Sequence, residues 1–185
     1  IVTTPGVVYA LLQAVKTVTA PGDGVIIMTP VYYPFYRVIS AAGRNVVKNP
    51  LINDGGKYSI DFDGLEKLAR DGKNTALILC SPHNPVGRVW TRAELEKLAK
   101  ICLENNVFVI SDEIHFDLIM PGYSHTVLAS ISPDIAAKTI TCTAPSKTFN
   151  LAGLNHSNIV IPDENVRQRF RRELSNAATP MQTPY

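Results

Sequence analysis

The chain reads as an α/β domain, a mostly parallel sheet with helices on both faces, and three observations predict it. Apolar runs of strand length alternate with amphipathic stretches of helical period along the 185 residues. The run Thr75 to Cys80 is continuously apolar, as expected of a parallel strand covered on both faces. Hydrophobic residues make up 45% and charged residues 18%, enough apolar material for one sizeable core.

The balance of 18 Lys+Arg against 16 Asp+Glu gives a net charge of +2, too small to point to a nucleic-acid or membrane partner. Apolar runs are strand-sized, which predicts no transmembrane span. The opening Ile1-Val2-Thr3-Thr4-Pro5 lacks the pattern of a secretory leader and reads as the interior of a longer protein. Cys80, Cys102 and Cys142 have no metal-ligand spacing and each lies in an apolar run, so buried reduced thiols and a cytoplasmic location are expected. His83, His115, His125 and His156 are too dispersed to suggest zinc.

In chain order, Gly6 to Ala20 reads as a helix with Val7, Leu11, Ala14 and Val15 on one face and Pro5 in its first turn. Thr4 stands where it could cap that helix; alternatively, the free N–H groups at Gly6, Val7 and Val8 could hold a phosphate. Val25 to Met28 is a buried strand, followed by Thr29-Pro30-Val31-Tyr32-Tyr33-Pro34-Phe35-Tyr36 and a helix to about Ala42. Tyr32 is the aromatic of that cluster best placed to face a ligand. Arg44 to Leu51 is another strand, and Asp63 with Glu66 looks like a capping box. Thr75 to Cys80 runs into Ser81-Pro82-His83-Asn84-Pro85-Val86-Gly87, and Thr91 with Glu94 forms a second capping box. Val107 to Ser111 ends in Asp112-Glu113-Ile114-His115; a carboxylate there is either a helix cap or the partner of a cation. Lys138 to Thr143 leads through Pro145 and Ser146 to Lys147, which taken alone would be a solvated loop lysine. Ser157 to Ile161 is one further strand. A last helix from Asp163 turns Val166, Phe170 and Leu174 inward and leaves Arg167, Arg169, Arg171 and Arg172 as a solvated face.

Parallel α/β sheets place their chemistry at the carboxyl edge. Four predicted strand ends carry Tyr32, Asn84, Asp112 and Lys147. An aromatic face, an amide, an anion and an amine together suit a planar heteroaromatic aldehyde. The amine can condense with the aldehyde, the anion can hold a protonated ring nitrogen, and the amide can bond a ring hydroxyl. With a phosphate on the helix at Gly6, that ligand is pyridoxal 5′-phosphate (PLP).

The order Pro-Val-Tyr-Tyr-Pro-Phe, Ser-Pro-His-Asn-Pro-Val-Gly, Ser-Asp-Glu-Ile-His and Ser-Lys-Thr-Phe-Asn resembles fold-type I PLP enzymes of the class I/II aminotransferase superfamily. Within it the chain is most similar to cysteine C–S β-lyases of the MalY and PatB type, which include cystathionine β-lyases. The resemblance implies Lys147 as the lysine bonded to the cofactor, Asp112 as partner of the ring nitrogen, Asn84 as partner of the ring hydroxyl and Tyr32 as the stacking ring. It also implies Gly6, Val7, Val8 and Ser146 around the phosphate. His115 stands where many aminotransferases have a tyrosine, and the His form is typical of the lyase branch. Two positions depart from the wider pattern: Asn155 replaces a frequent arginine eight residues after the lysine, and Ala144 a frequent Ser or Thr three residues before it. The resemblance further implies that residues 1–185 are the central part of a large PLP-binding domain, without the entrance segment and small C-terminal domain. A homodimer acting on a small amino-acid substrate is expected of the whole protein. Two further readings stay open: an aminotransferase, and the PLP-fold domain of a transcriptional regulator.

Overall fold

A computed structural model describes residues 1–177. The elements are β1 (Val2–Thr4), α1 (Val7–Val18), β2 (Gly24–Thr29), α2 (Pro34–Ala41), β3 (Asn45–Pro50), β4 (Ile52–Asp54), β5 (Lys57–Ser59) and α3 (Phe62–Ala69). There follow β6 (Asn74–Cys80), α4 (Arg92–Glu104), β7 (Phe108–Asp112), α5 (Pro133–Ala137), β8 (Thr139–Thr143), β9 (Ser157–Val160) and α6 (Glu164–Asn176). Seven strands form one sheet in the order β1-β9-β8-β7-β6-β2-β3. The five from β8 to β3 are parallel, whereas β9 runs antiparallel to both β8 and β1.

The continuous apolar strands are explained by two separate cores. Along β2, Val25 and Ile27 pack with Ala10, Leu11, Phe35 and Phe170 of α1, α2 and α6. Their alternates Ile26 and Met28 pack with Leu65, Leu95 and Leu98 of α3 and α4 on the opposite face. The same division holds along β6, with Ala76 and Ile78 on one side and Leu77 and Leu79 on the other. A period of two therefore operates in these strands, but both phases are apolar because both faces are covered. All three cysteines are free and buried.

Several local expectations change. Val2–Thr4 is a strand, and the Thr4 hydroxyl lies 2.6 Å from Ser157 Oγ across the β1–β9 pair, so it does not cap α1. Gly6 is the N-cap, without a side-chain cap, and Pro5 precedes the helix instead of opening it. The cap of α3 is Asp61, whose carboxylate accepts the Gly64 N–H at 3.0 Å; Asp63 lies in the first turn and Glu66 pairs with Arg70. The Thr91–Glu94 capping box is present. The β4–β5 hairpin turns on Gly55 and Gly56, both at positive φ. On α6, Asp163 is the cap and Phe170 is fully buried, but two of the four arginines are not simply solvated. Arg167 donates to the carbonyls of Ile161 and Pro162, and Arg169 to that of Thr17.

Topology decides where loops meet. Strands β8, β7, β6 and β2 are adjacent and parallel, so the loops leaving Thr143, Asp112, Cys80 and Thr29 emerge on one edge. Because β9 is antiparallel to both neighbours, β1 shares the direction of β8 and delivers Gly6 to that same edge. The loop entering β9 begins there as well, bringing Asn155 and His156.

Candidate active site

That edge holds a cleft of about 220 Å³ lined by Tyr32, Asn84, Asp112, His115, Lys147, Ser146, Gly6, Val7 and Val8. All nine residues singled out from the sequence therefore line one cavity. Cys80, Ile114, Ala152, Asn155 and His156 complete the lining and were not singled out as ligand-facing. Cys80 and Ile114 are next to predicted strand ends and could have been found by their distance from Asn84 and Asp112. Asn155 was noticed for what it replaces, not for facing the cleft. Its wall position depends on the antiparallel return of β9, which the sequence does not signal.

Asp112 lies on the floor. It is the last residue of β7, in register with Cys80 of β6 and Cys142 of β8. A thiol is only a weak donor, so neither neighbour solvates the carboxylate well. The one hydrogen bond it accepts among the described residues comes from the Ile114 N–H at 3.2 Å. Burial pushes its pKa up from 3.8 to about 7, with the Glu113 charge adding to the rise and the Ile114 N–H and Lys147 opposing it. The flanking thiols are driven up by burial and secondarily by the Asp112 charge. A carboxylate so placed is short of a cationic partner.

Its neighbour Glu113 is fully satisfied, receiving Ser111 Oγ at 2.8 Å, the Leu128 N–H at 3.3 Å and the His125 ring at 2.7 Å. These bonds close the loop that carries His115 back onto the end of β7. Burial, with the Lys147 charge, holds the His115 imidazole below its ordinary 6.5. The adjacent loop after β8 is a tight turn, with the Phe149 N–H donating to the Pro145 carbonyl at 2.9 Å and that of Leu151 to Ser146 at 3.0 Å. Lys147 projects from it, and its amine has no hydrogen-bond or ion-pair partner among the described residues. Thr148 ties this turn to Asp117 at 2.8 Å.

Tyr32 is half-buried, edge-on to the buried Phe35 at 6.2 Å between ring centroids. Burial raises the phenol pKa, with Tyr33 and Asp112 adding to it. The Asn84 N–H points to Cys80 Sγ at 3.4 Å, anchoring its loop to the end of β6. Gly6 has φ +92° and ψ 155°, a conformation restricted to glycine, and nothing lies within 4 Å of where a Cβ would stand. The start of α1 thus lines the cleft at Gly6, Val7 and Val8 without a side-chain cap, while the Gly6 N–H itself donates to the Thr4 carbonyl at 2.8 Å.

These features fit PLP: a lone amine, a buried carboxylate wanting a cation, a supported aromatic ring and an uncapped helix start. Among the described residues no group of three or more His, Cys, Asp or Glu side chains could hold a metal ion, and no helix is long and apolar enough to cross a membrane.

A fold of this kind with this edge defines a class, and the chain belongs to the class I and II aminotransferase family, whose model matches residues 1–185. Among curated relatives, the cystathionine beta-lyase PatB of Bacillus subtilis is 51% identical over 170 residues, 92% of this chain and 44% of the relative. Among solved structures, cystalysin from Treponema denticola, which contains a pyridoxal 5′-phosphate cofactor, superposes with a TM-score of 0.95 at 52% identity, covering 98% of this chain and 46% of that one. The PLP-bound C–S lyase from Staphylococcus hominis gives a TM-score of 0.90 at 39% identity, covering 94% and 44%. The chain spans less than half the length of these relatives.

Proposed function

We propose that the protein containing this chain is a PLP-dependent C–S β-lyase that cleaves cystathionine or a related cysteine thioether to a thiol, pyruvate and ammonia. Residues 1–185 would be the central part of its large cofactor-binding domain. The observation that carries the reading is the buried Asp112 carboxylate, which among the described residues has one backbone donor and shares its cleft with a lysine amine that has no partner. When bound, PLP supplies an aldehyde carbon that amines can attack and a ring that accepts the electron pair released at the substrate Cα. Lys147 Nζ is the attachment point and, once free, the base that removes the Cα proton. Asp112 holds a proton on the ring nitrogen, the role its shortage of donors leaves open. Asn84 orients the ring through its hydroxyl, and Tyr32 backs one face. The N–H groups of Val7 and Val8, with the Ser146 hydroxyl, would receive the phosphate beside Gly6, whose own N–H is held by the Thr4 carbonyl at 2.8 Å, and His115 would complete the cofactor's surroundings.

A second reading, a PLP-dependent aminotransferase, is favoured by the breadth of the matched family. The same residues serve it, with a keto acid as product. Product analysis of the whole protein with cystathionine separates the two. Pyruvate and thiol formed without an acceptor support the lyase; a keto acid formed only with an acceptor overturns it.

The active unit is proposed to be a homodimer. The loops after β7 and β8, tied together by Thr148 and Asp117, expose Leu118, Met120, Tyr123, Phe149, Leu151 and Leu154, apolar side chains that a second copy could cover. A reducing, cytoplasmic setting agrees with the three free buried thiols.

A further inference from the structure

The PLP reading uses residues on four loops but does not explain what keeps two of them in register. Tyr32 follows β2 and Asn84 follows β6, and both must address the same ring from different directions. One side chain connects them. His83 directly precedes Asn84, is 1% exposed, and places its ring Nε2 2.9 Å from the carbonyl oxygen of Pro30, two residues before Tyr32. A carbonyl can only accept, so Nε2 carries the proton and the ring donates across from one loop to the other. Nδ1 is buried with no hydrogen-bond partner among the described residues. Burial holds this imidazole below its ordinary 6.5, with Arg88 adding to it and the Pro30 and Cys80 carbonyls opposing. The neutral ring with its proton on Nε2 is thus the form the surroundings favour.

The backbone of His83 is clamped as firmly as its ring. Its N–H donates to the Arg88 carbonyl at 2.7 Å, and its own carbonyl accepts the Gly87 N–H at 2.8 Å. The ring meets the buried Trp90 edge-on at 5.4 Å. Trp90 in turn donates to the Cys80 carbonyl at 2.9 Å, and the Arg88 guanidinium lies over its indole at 4.8 Å while paired with Glu94. His83 is therefore the fixed end of a brace whose free end is a single N–H aimed at the Tyr32 loop.

We infer that His83 is a positioning residue: its Nε2–H to the Pro30 carbonyl couples the Asn84 loop to the Tyr32 loop and sets the Asn84 amide against the cofactor's ring hydroxyl. This rests on the PLP reading. Without the bond, the Pro30 carbonyl loses its donor from His83 and the two loops relax independently. A displaced Asn84 amide stabilises the deprotonated ring oxygen less well, so the pH midpoint of the cofactor's visible absorbance rises.

The test uses the whole protein loaded with PLP and two variants, read by spectrophotometric pH titration. His83→Phe keeps a ring against Trp90 and removes the donor. His83→Gln removes the ring but brings a terminal amide N–H to about where Nε2–H stands. Expected are a midpoint raised by about half a pH unit or more in His83→Phe, with kcat/KM lowered, and a parental midpoint in His83→Gln. A folded His83→Phe protein, with parental near-ultraviolet circular dichroism, that titrates like the parent overturns the inference. If His83→Phe does not fold, His83→Met takes its place, filling the space against Trp90 without a donor: a raised midpoint supports the coupling and a parental midpoint overturns it. A parent protein that takes up no PLP and shows no visible band would instead refute the cofactor reading, which separates the two failures.

Discussion

Asp112→Asn should make the cofactor-free protein more stable near neutral pH while removing most of its activity. The carboxyl has its pKa raised from 3.8 to about 7 in the folded state. At roughly 1.36 kcal/mol per pKa unit, that rise corresponds to about 4 kcal/mol. The folded state binds the proton more tightly than the unfolded chain, so stability falls as pH rises from about 4 to about 7, and the loss is complete above that window. An asparagine carries no charge and can still accept the Ile114 N–H, but its buried NH₂ group lacks an acceptor, at a cost of about 1–3 kcal/mol. The variant should therefore be less stable than the parent by about 1–3 kcal/mol near pH 4 and more stable by a similar amount at pH 7.5. Urea unfolding of the cofactor-free proteins at both pH values measures this change of sign. Removing one partner of a buried charged pair is worth about 3–5 kcal/mol, so kcat/KM of the loaded enzyme should fall by about two to four orders of magnitude. A variant destabilised equally at both pH values would refute the claim that Asp112 carries an uncompensated charge. Near-normal activity would reduce the carboxylate to a turn-former.

His115→Tyr should remove a titration that the parent shows below pH 6.5, where this partly buried imidazole protonates, and should lower β-elimination more than transamination; an absorbance titration and a product ratio measure both. An unchanged profile and ratio would remove His115 from the choice of chemistry. Gly6→Ala meets no neighbouring atom within 4 Å but takes a backbone conformation closed to alanine. It should cost about 1–3 kcal/mol in denaturant unfolding and weaken PLP binding in equilibrium dialysis, since the first turn of α1 has to move.

The parallel core and the site were legible because strand ends in a parallel sheet share one edge, so residues placed in sequence were also placed in space. Tyr32, Asn84 and Lys147 follow β2, β6 and β8, and Asp112 ends β7, all adjacent strands in one sheet. What escaped depends on pairing between distant segments. Val2–Thr4 is only three residues long, and its partner is β9, whose reversed direction brings Asn155 and His156 into the cleft. The Asp61 cap was displaced onto Asp63 because Glu66 completed a capping-box spacing that the structure uses for an ion pair with Arg70. Asp54-Gly55-Gly56 carries a hairpin signal, but β4 and β5 are each only three residues long and too short to show a strand period. The role of His83 is not legible in the sequence, since a contact with the Pro30 carbonyl cannot be read from spacing.

The central claim is that Lys147 holds PLP, and chemical trapping tests it most directly. The whole protein loaded with PLP is reduced with borohydride, digested and mapped by mass spectrometry. Expected are a visible band that reduction abolishes, the reduced cofactor on the peptide containing Lys147, and neither a retained band nor turnover in Lys147→Ala after gel filtration. A label on Lys138 or Lys48 instead, or turnover persisting in Lys147→Ala, would contradict it.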